Sequence, residues 1–292
     1  MSLLQSILMG LIQGLTEFLP VSSSGHLAIF QIIFGMNTDS GLLFETLLHL
    51  GTLVAVCVVF KSDILKLLDA VVHMIGDAIG NLRIFISNRT KHTDTPYRKL
   101  INTAYKKFVA LIVVTSIPTA VIGLILSSWA ERASASLLVP GICLVITAIL
   151  LLIADTRPSG KKKVKKTGYS DAAIVGVAQG ISTLPGLSRS GATITTCMML
   201  GFDRAFAVKY SFIAAIPAVV GANLLELRHL GEAAASGTSP ICYIAGMVVA
   251  GVVGYFAIKL MMKLVKSNRF QYFAYYCAVV GIISIVFYFF RG

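Results

Sequence analysis

Residues Gly10–Gly25 read GLIQGLTEFLPVSSSG, and residues Gly176–Gly191 read GVAQGISTLPGLSRSG. The two stretches align without a gap at an offset of 166, pairing Gly10 with Gly176, Gln13 with Gln179, Gly14 with Gly180, Ser22 with Ser188, Ser24 with Ser190 and Gly25 with Gly191. Each copy is an apolar stretch that runs into a Pro, Gly and Ser break. Gly and Pro stop helices, and Ser adds hydroxyl donors and acceptors. Inside a bilayer such a break is tolerated only where it is buried in protein or lines a cavity. Two related breaks therefore point to two halves that face one site.

The composition supports the membrane premise. Hydrophobic residues make up 56% of the 292 and charged residues 13%, with a mean hydropathy of +0.83; a soluble domain averages about 25% charged. The apolar runs are about the length of a bilayer span, roughly 20 residues, and no soluble domain stands out between them. The polar stretch from about Lys61 to Lys107 still contains apolar turns and reads as membrane-proximal helix. The five cysteines, Cys57, Cys143, Cys197, Cys242 and Cys277, form no CxxC pair and read as packing residues. No Lys or Arg precedes Lys61, so the N-terminus lacks the basic region of a signal peptide and reads as mature structure.

Six segments read as spans: Leu42–Phe60, Phe108–Ser127, Leu137–Ile153, Phe206–Leu225, Ile241–Leu264 and Tyr272–Phe290. The repeat regions do not. Leu3–Leu19 carries Gln5, Gln13 and Glu17 and breaks at Pro20–Gly25, and His26–Phe34 is half a span. Asp171–Leu184 and Ala192–Gly201 around Pro185–Gly191 read the same way. The expected fold is all-α and polytopic. Residues 1–156 and 157–292 each supply a re-entrant helical hairpin plus three spans, within one membrane domain. Three is odd, so the halves should be inverted, their hairpins entering from opposite faces and meeting near the midplane. Loop charge agrees. Lys61, Lys66, Arg83, Arg89, Lys91, Arg98, Lys99, Lys106 and Lys107 follow the first span, and Arg157, Lys161, Lys162, Lys163, Lys165 and Lys166 follow the third. Lys266 and Arg269 follow the fifth, whereas the alternate loops hold only Arg132 and Arg228. Basic loops stay cytoplasmic, which places both termini outside. The run Lys161–Lys166 reads as a cytoplasmic anchor rather than a nucleic-acid or lipid site.

Gln13 and Glu17 are four apart and share a helix face. A carboxylate at membrane depth is costly and usually functional; the bland alternative is a Glu near a helix end reaching interfacial water. Ser22, Ser23, Ser24 and His26 follow within ten residues, so this copy can supply a base, a nucleophile and an acid. In the second copy, Pro185–Thr193 reads PGLSRSGAT. Arg189 offers a planar fork suited to phosphate oxygens, and Ser188, Ser190 and the backbone at a helix start add donors. A purely structural Arg189–Glu17 pair is the rival reading. Acid, hydroxyl and imidazole in one copy and phosphate donors in the other point to phosphate chemistry on a membrane-resident substrate.

At these residues the chain resembles the bacterial undecaprenyl-diphosphate phosphatases of the bacitracin-resistance family. The motifs that carry the likeness are QGLTEFLPVSSSGH (Gln13–His26) and PGLSRSGAT (Pro185–Thr193), supported by FETLLHLGT (Phe44–Thr52), and it extends in order over essentially the whole chain. The resemblance implies removal of the terminal phosphate from a C55 isoprenoid diphosphate, recycling the lipid carrier of cell-wall synthesis. The site would lie in the inner membrane, open to the outer face. It makes Ser23 the nucleophile with Ser22 as neighbour, Glu17 a catalytic carboxylate and His26 an acid or base. Arg189 would hold the phosphates with Ser188, Ser190 and Thr193. It also implies Mg²⁺ or Ca²⁺ near Glu17 and Gln13, although Gln13 departs from members with Glu there and weakens a two-carboxylate metal site. Glu45 and His49, one turn apart, are candidates to line the site or to support it from behind. Attack by water on the phosphorus fits the sequence as well as attack by Ser23, and a homodimer remains open. No nucleic-acid partner is expected. The alternative function is a transporter or flippase for an isoprenoid phosphate lipid, since inverted repeats with broken helices are common in transporters. The unlike residues of the two copies favour an enzyme.

Overall fold

The computed structural model describes residues 1–34, 41–134, 136–226, 239–265 and 269–291. Arg228 and Lys266, counted above in the loop charges, lie outside them. Among the described residues the chain forms eleven α-helices and no named strand. In order these are α1 (Leu3–Phe18), α2 (Ser23–Phe34), α3 (Gly41–Val59), α4 (Lys61–Lys91), α5 (Ala104–Ser134) and α6 (Leu138–Thr156). After a short 3₁₀ turn at Val164–Lys166 come α7 (Tyr169–Ile181), α8 (Arg189–Met199), α9 (Arg204–Glu226), α10 (Pro240–Leu264) and α11 (Phe270–Arg291).

Both repeat copies fold as two short helices around a break. Helix α1 is opened by a capping box, Ser2 with Gln5, and runs out before Pro20. Helix α7 starts at Gly168, with Asp171 returning to the Gly168 backbone N–H, and ends at Ile181 ahead of the Pro185–Gly186 turn. Helix α8 is capped by Ser188, whose hydroxyl accepts from the Gly191 N–H at 3.0 Å.

Six helices are long and apolar enough to cross a membrane: α4, α5, α6, α9, α10 and α11. Five coincide with expected spans. The sixth differs. The segment expected as the first span, Leu42–Phe60, lies in α3, an apolar helix of 19 residues like α6, and the sixth long helix is α4, which at 31 residues is the least apolar of the six. The reason is local. Phe60 separates α3 from α4 without a proline or glycine, so the polar stretch after it stays helical and reaches span length.

The halves pack reciprocally. Helix α1 lies along α10 and α7 lies along α5; α6 lies along α11 and α3 meets α9. Paired glycines make the first two contacts. A Cβ on Gly10 would stand 2.5 Å from the Gly246 carbonyl oxygen, and one on Gly176 would stand 2.2 Å from that of Thr115. One turn on, Gly14 and Gly180 would meet Val253 and Ile122 at 2.8 and 2.7 Å. Small residues at four-residue spacing let helices approach to backbone contact. Thr115 and Thr119 then donate to the carbonyls of Ala172 and Gly176 at 3.0 Å each. An aromatic cluster of Phe108, Phe202, Phe206 and Tyr210 fills the interior where α5, α8 and α9 converge.

Candidate active site

The two breaks touch each other. The Gly186 N–H donates to the Ser24 hydroxyl at 3.4 Å, and the Ser190 hydroxyl donates to the Leu19 carbonyl at 3.4 Å. Ser24 and Ser190 are matched residues, so each tip holds the other through the same position. A Cβ on Gly25 would meet the Gly186 Cα at 2.8 Å, which shows how closely the backbones approach. Beside the tips lies a cavity of about 350 Å³. Its polar lining comes from both copies and from the helices around them: Glu17, Ser22, Ser23 and Ser24; Gln179, Ser182, Thr183, Ser188, Arg189 and Ser190; and Glu45, Thr46, His49, Thr119 and Asn223.

Glu17 is the hub. It is buried at the end of α1, and its two oxygens serve different partners. Oε2 accepts from the Ser23 hydroxyl at 2.6 Å and from the Gln13 amide at 3.0 Å; Oε1 pairs with the Arg189 guanidinium. Ser23 and Arg189 themselves sit 166 apart, at matched positions opening α2 and α8. The chain thus brings a hydroxyl and a guanidinium, one from each copy, onto one carboxylate. An incoming phosphoryl group can take Glu17's place on the guanidinium, whose five donors exceed what one carboxylate oxygen uses.

His49, from α3, approaches from the side. Its Nδ1 is 3.0 Å from the Gln13 amide nitrogen and 3.7 Å from Glu17 Oε2. Glu45, one turn earlier on α3, also lines the cavity and accepts from the Gln31 amide at 2.6 Å. Among the residues expected in the site, Glu17, Ser22, Ser23, Ser188, Arg189 and Ser190 line the cavity; Gln13, His26 and Thr193 do not. His26 Nδ1 is 2.7 Å from the Ser22 carbonyl, and its Nε2 is 2.8 Å from the Tyr276 hydroxyl, with the two rings stacked. Both ring nitrogens are therefore engaged away from the cavity. Thr193 turns back to the Arg189 carbonyl at 2.8 Å and bonds Ser211, supporting the first turn of α8.

Gln179, Ser182, Thr183, Thr119 and Asn223 line the cavity and were not expected there, nor was Tyr276 as the partner of His26. The repeat alignment holds a signal for two of them: Gln179 is the mate of Gln13, and Thr183 stands where Glu17 would fall. Tyr276 and Asn223 sit in ordinary apolar spans and carry none.

The divalent cation implied by the resemblance finds no protein cage. Among the described residues no three His, Cys, Asp or Glu side chains are grouped to hold one. Gln13 is fully buried, its amide nitrogen is taken by Glu17 and His49, and its Oε1 is buried without a partner. Glu17 would hold such an ion together with phosphate oxygens of the substrate, and Gln13 would offer its unpartnered Oε1; no step below passes through the ion.

Fold and site define a polytopic membrane protein with a serine, a carboxylate and an arginine converging in a cavity between two broken helix pairs. Residues 6–283 match the family described as Bacitracin resistance protein BacA, and the chain belongs to that family. It is similar over its whole length to proteins named undecaprenyl-diphosphatase. The one from Treponema denticola is 41% identical over 293 residues, covering 100% of both chains. The one from Desulforapulum autotrophicum is 40% identical over 286 residues and the one from Methanosphaera stadtmanae 38% over 286, each covering 98% of both chains.

Proposed function

We propose that this protein is an integral membrane phosphatase that hydrolyses undecaprenyl diphosphate to undecaprenyl phosphate and inorganic phosphate, returning the lipid carrier to cell-wall synthesis. Full-length similarity to undecaprenyl-diphosphatases supports the reaction. The observation that carries the chemistry is the Glu17 carboxylate shared between the Ser23 hydroxyl at 2.6 Å and the Arg189 guanidinium.

Ser23 attacks the terminal phosphorus while its proton passes to Glu17, the base already bonded to it. Arg189 and the free N–H groups at the start of α8 take up charge on the phosphoryl oxygens. The bond to the bridging oxygen breaks and lipid phosphate leaves, its oxygen taking the proton held by Glu17; water then attacks the phosphoserine, giving a proton to Glu17, and Glu17 returns it to the Ser23 oxygen as inorganic phosphate departs. His26 sets the backbone of this step. It holds the carbonyl of Ser22, whose φ of +70° lies in the left-handed region that non-glycine residues rarely adopt. That turn aims Ser23 at the tip of the opposite copy.

The reciprocal packing of α1 on α10 and of α7 on α5 supports two inverted repeats, 1–156 and 157–292, with re-entrant hairpins. The basic loops support an inner-membrane protein with the site open to the outer face. The unlike residues at matched positions, Ser23 against Arg189 and Glu17 against Thr183, favour catalysis over transport.

The test is inorganic phosphate released from undecaprenyl diphosphate by purified protein in detergent, with Mg²⁺, Ca²⁺ or a chelator present. Release is expected. No release under any of these conditions overturns the phosphatase reading in favour of lipid movement, which needs two compartments. Full activity in chelator overturns the family-implied cation.

A further inference from the structure

Helix α4 carries an apolar stripe that the rest of the protein leaves uncovered. Leu65, Leu68, Val72, Ile75, Ile79, Leu82 and Ile86 recur at alternating three- and four-residue steps and form one stripe. All seven are between 49% and 67% exposed. The side facing the protein is mixed, with Leu67 and Ala70 buried and Ile64 packed on the core. Asp63 pairs with Lys209 at 2.9 Å and Asp77 with Lys106 at 2.5 Å, while Asn81 and Asn88 bond the backbone of Arg98 and Thr95 as the chain returns along the helix. Only Leu67 and Ala70 are buried.

The charges sort in the same way. Two of the three carboxylates, Asp63 and Asp77, are spent on internal lysines, whereas Lys61, Lys66, Arg83, Arg89 and Lys91 are exposed, with Asp69 the one exposed acid of the helix. The outward surface is thus an apolar stripe with basic residues along its edges and at its ends.

Exposed charge and anchoring argue against a span. His73 and Asp69, near its middle, are 65% and 71% exposed and would face lipid. Tyr105 and Lys106, in the first turn of α5, reach residues as far apart as Asp63 and Asp77, so α4 crosses the end of α5 rather than running down its side.

We propose that α4 is an in-plane helix whose apolar stripe docks on an anionic lipid surface, where the bundle meets the headgroups. Amphipathic helices with basic polar faces sit about 5–10 Å into the headgroup boundary. Exposed Lys and Arg near an anionic leaflet add about 1 kcal/mol each. This leaves α3 to cross the bilayer ahead of α4 and is independent of the reaction proposed above.

The chain has one tryptophan, Trp129, so Trp129→Phe gives a silent background. Single tryptophans are then placed at Leu68→Trp, Ile75→Trp and Leu82→Trp on the stripe and at His73→Trp on the polar side. The proteins are reconstituted in phosphatidylcholine vesicles with and without phosphatidylglycerol, carrying a fluorescence quencher on the lipid near the headgroup or at mid-chain. The expected result is equal quenching of all three stripe positions, about twofold stronger from the shallow quencher than from the deep one, with His73→Trp little affected. Shallow quenching should fall in high salt and in vesicles lacking phosphatidylglycerol. Deep quenching at Ile75→Trp flanked by shallow quenching at the other two means a span and overturns the proposal. So does no lipid quenching together with disulfide cross-linking of Ile75→Cys between copies, which means a second copy covers the stripe. Indifference to phosphatidylglycerol and salt overturns the anionic partner. If one variant fails to fold, Leu65→Trp, Val72→Trp and Ile79→Trp read the same stripe.

Discussion

The two broken helix pairs share a frame and differ in what they carry. Both cap their second helix with a serine that accepts from the glycine three residues on, Ser22 from Gly25 at 3.3 Å and Ser188 from Gly191 at 3.0 Å. Both bury a glutamine whose Oε1 has no partner, Gln13 and Gln179. Both reach the other tip through a matched serine. The differences lie at positions whose side chains meet the cavity: Glu17 against Thr183, and Ser23 against Arg189. The frame is therefore what the two stretches have in common, and the reaction proposed above needs them to be unlike, because Ser23 as nucleophile and Arg189 as phosphate clamp would have to face each other. One further difference is in the backbone: Ser22 has φ +70°, Ser188 has −66°.

The largest expected effects break the chemical asymmetry. Ser23→Ala should lower turnover by about 10³-fold or more with the protein still folded, and Arg189→Lys by about 10²-fold, since lysine keeps the charge but not the planar fork. Phosphate-release kinetics check both. Near-normal turnover of Ser23→Ala would hand the attack to water, and near-normal Arg189→Lys would remove forked recognition.

Next come substitutions that break the shared frame. Gly10→Val and Gly176→Val should each destabilise by about 1–3 kcal/mol, because each places a side chain against a backbone carbonyl that cannot move aside. Thermal inactivation midpoints in detergent should fall for both. A tolerated Gly10→Val beside a damaging Gly176→Val would mean that the two contacts are not equivalent.

The backbone difference predicts a smaller, signed effect. Both serines lose a cap on mutation to glycine, a few tenths of a kcal/mol. Only Ser22→Gly also relieves a left-handed residue, about 1 kcal/mol. Ser22→Gly should thus be more stable than Ser188→Gly by about that amount, and equal midpoints would show that the turn at Ser22 stores nothing.

Smallest are the bonds between the tips. Ser24→Ala and Ser190→Ala should each cost about 0.5–1 kcal/mol of stability, by similar amounts. A large loss for one alone would show that the tips do not hold each other reciprocally.

Much of this was legible in the chain. Glycine, proline and serine at matched spacing mark the breaks directly, because backbone rules act locally; the capping serines and the glycines of α1 and α7 follow from them. Five of the expected spans coincide with long apolar helices for the same reason, their burial being written in composition. The first did not. At Phe60 the sequence changes from apolar to mixed, but nothing there stops a helix, so periodicity alone does not say which of α3 and α4 crosses.

The sequence by itself determined the membrane class, the duplicated frame and the residue types of the chemistry, because these depend on composition and on neighbours within a few residues. Only the tertiary structure decided who meets whom. It put Ser23 and Arg189 on opposite oxygens of Glu17, turned His26 away toward Tyr276 and brought His49 in beside Gln13. Those choices depend on how α3 and α11 pack around the tips, across separations of 36 to 250 residues. An imidazole reads the same in the sequence whether it faces a cavity or a tyrosine.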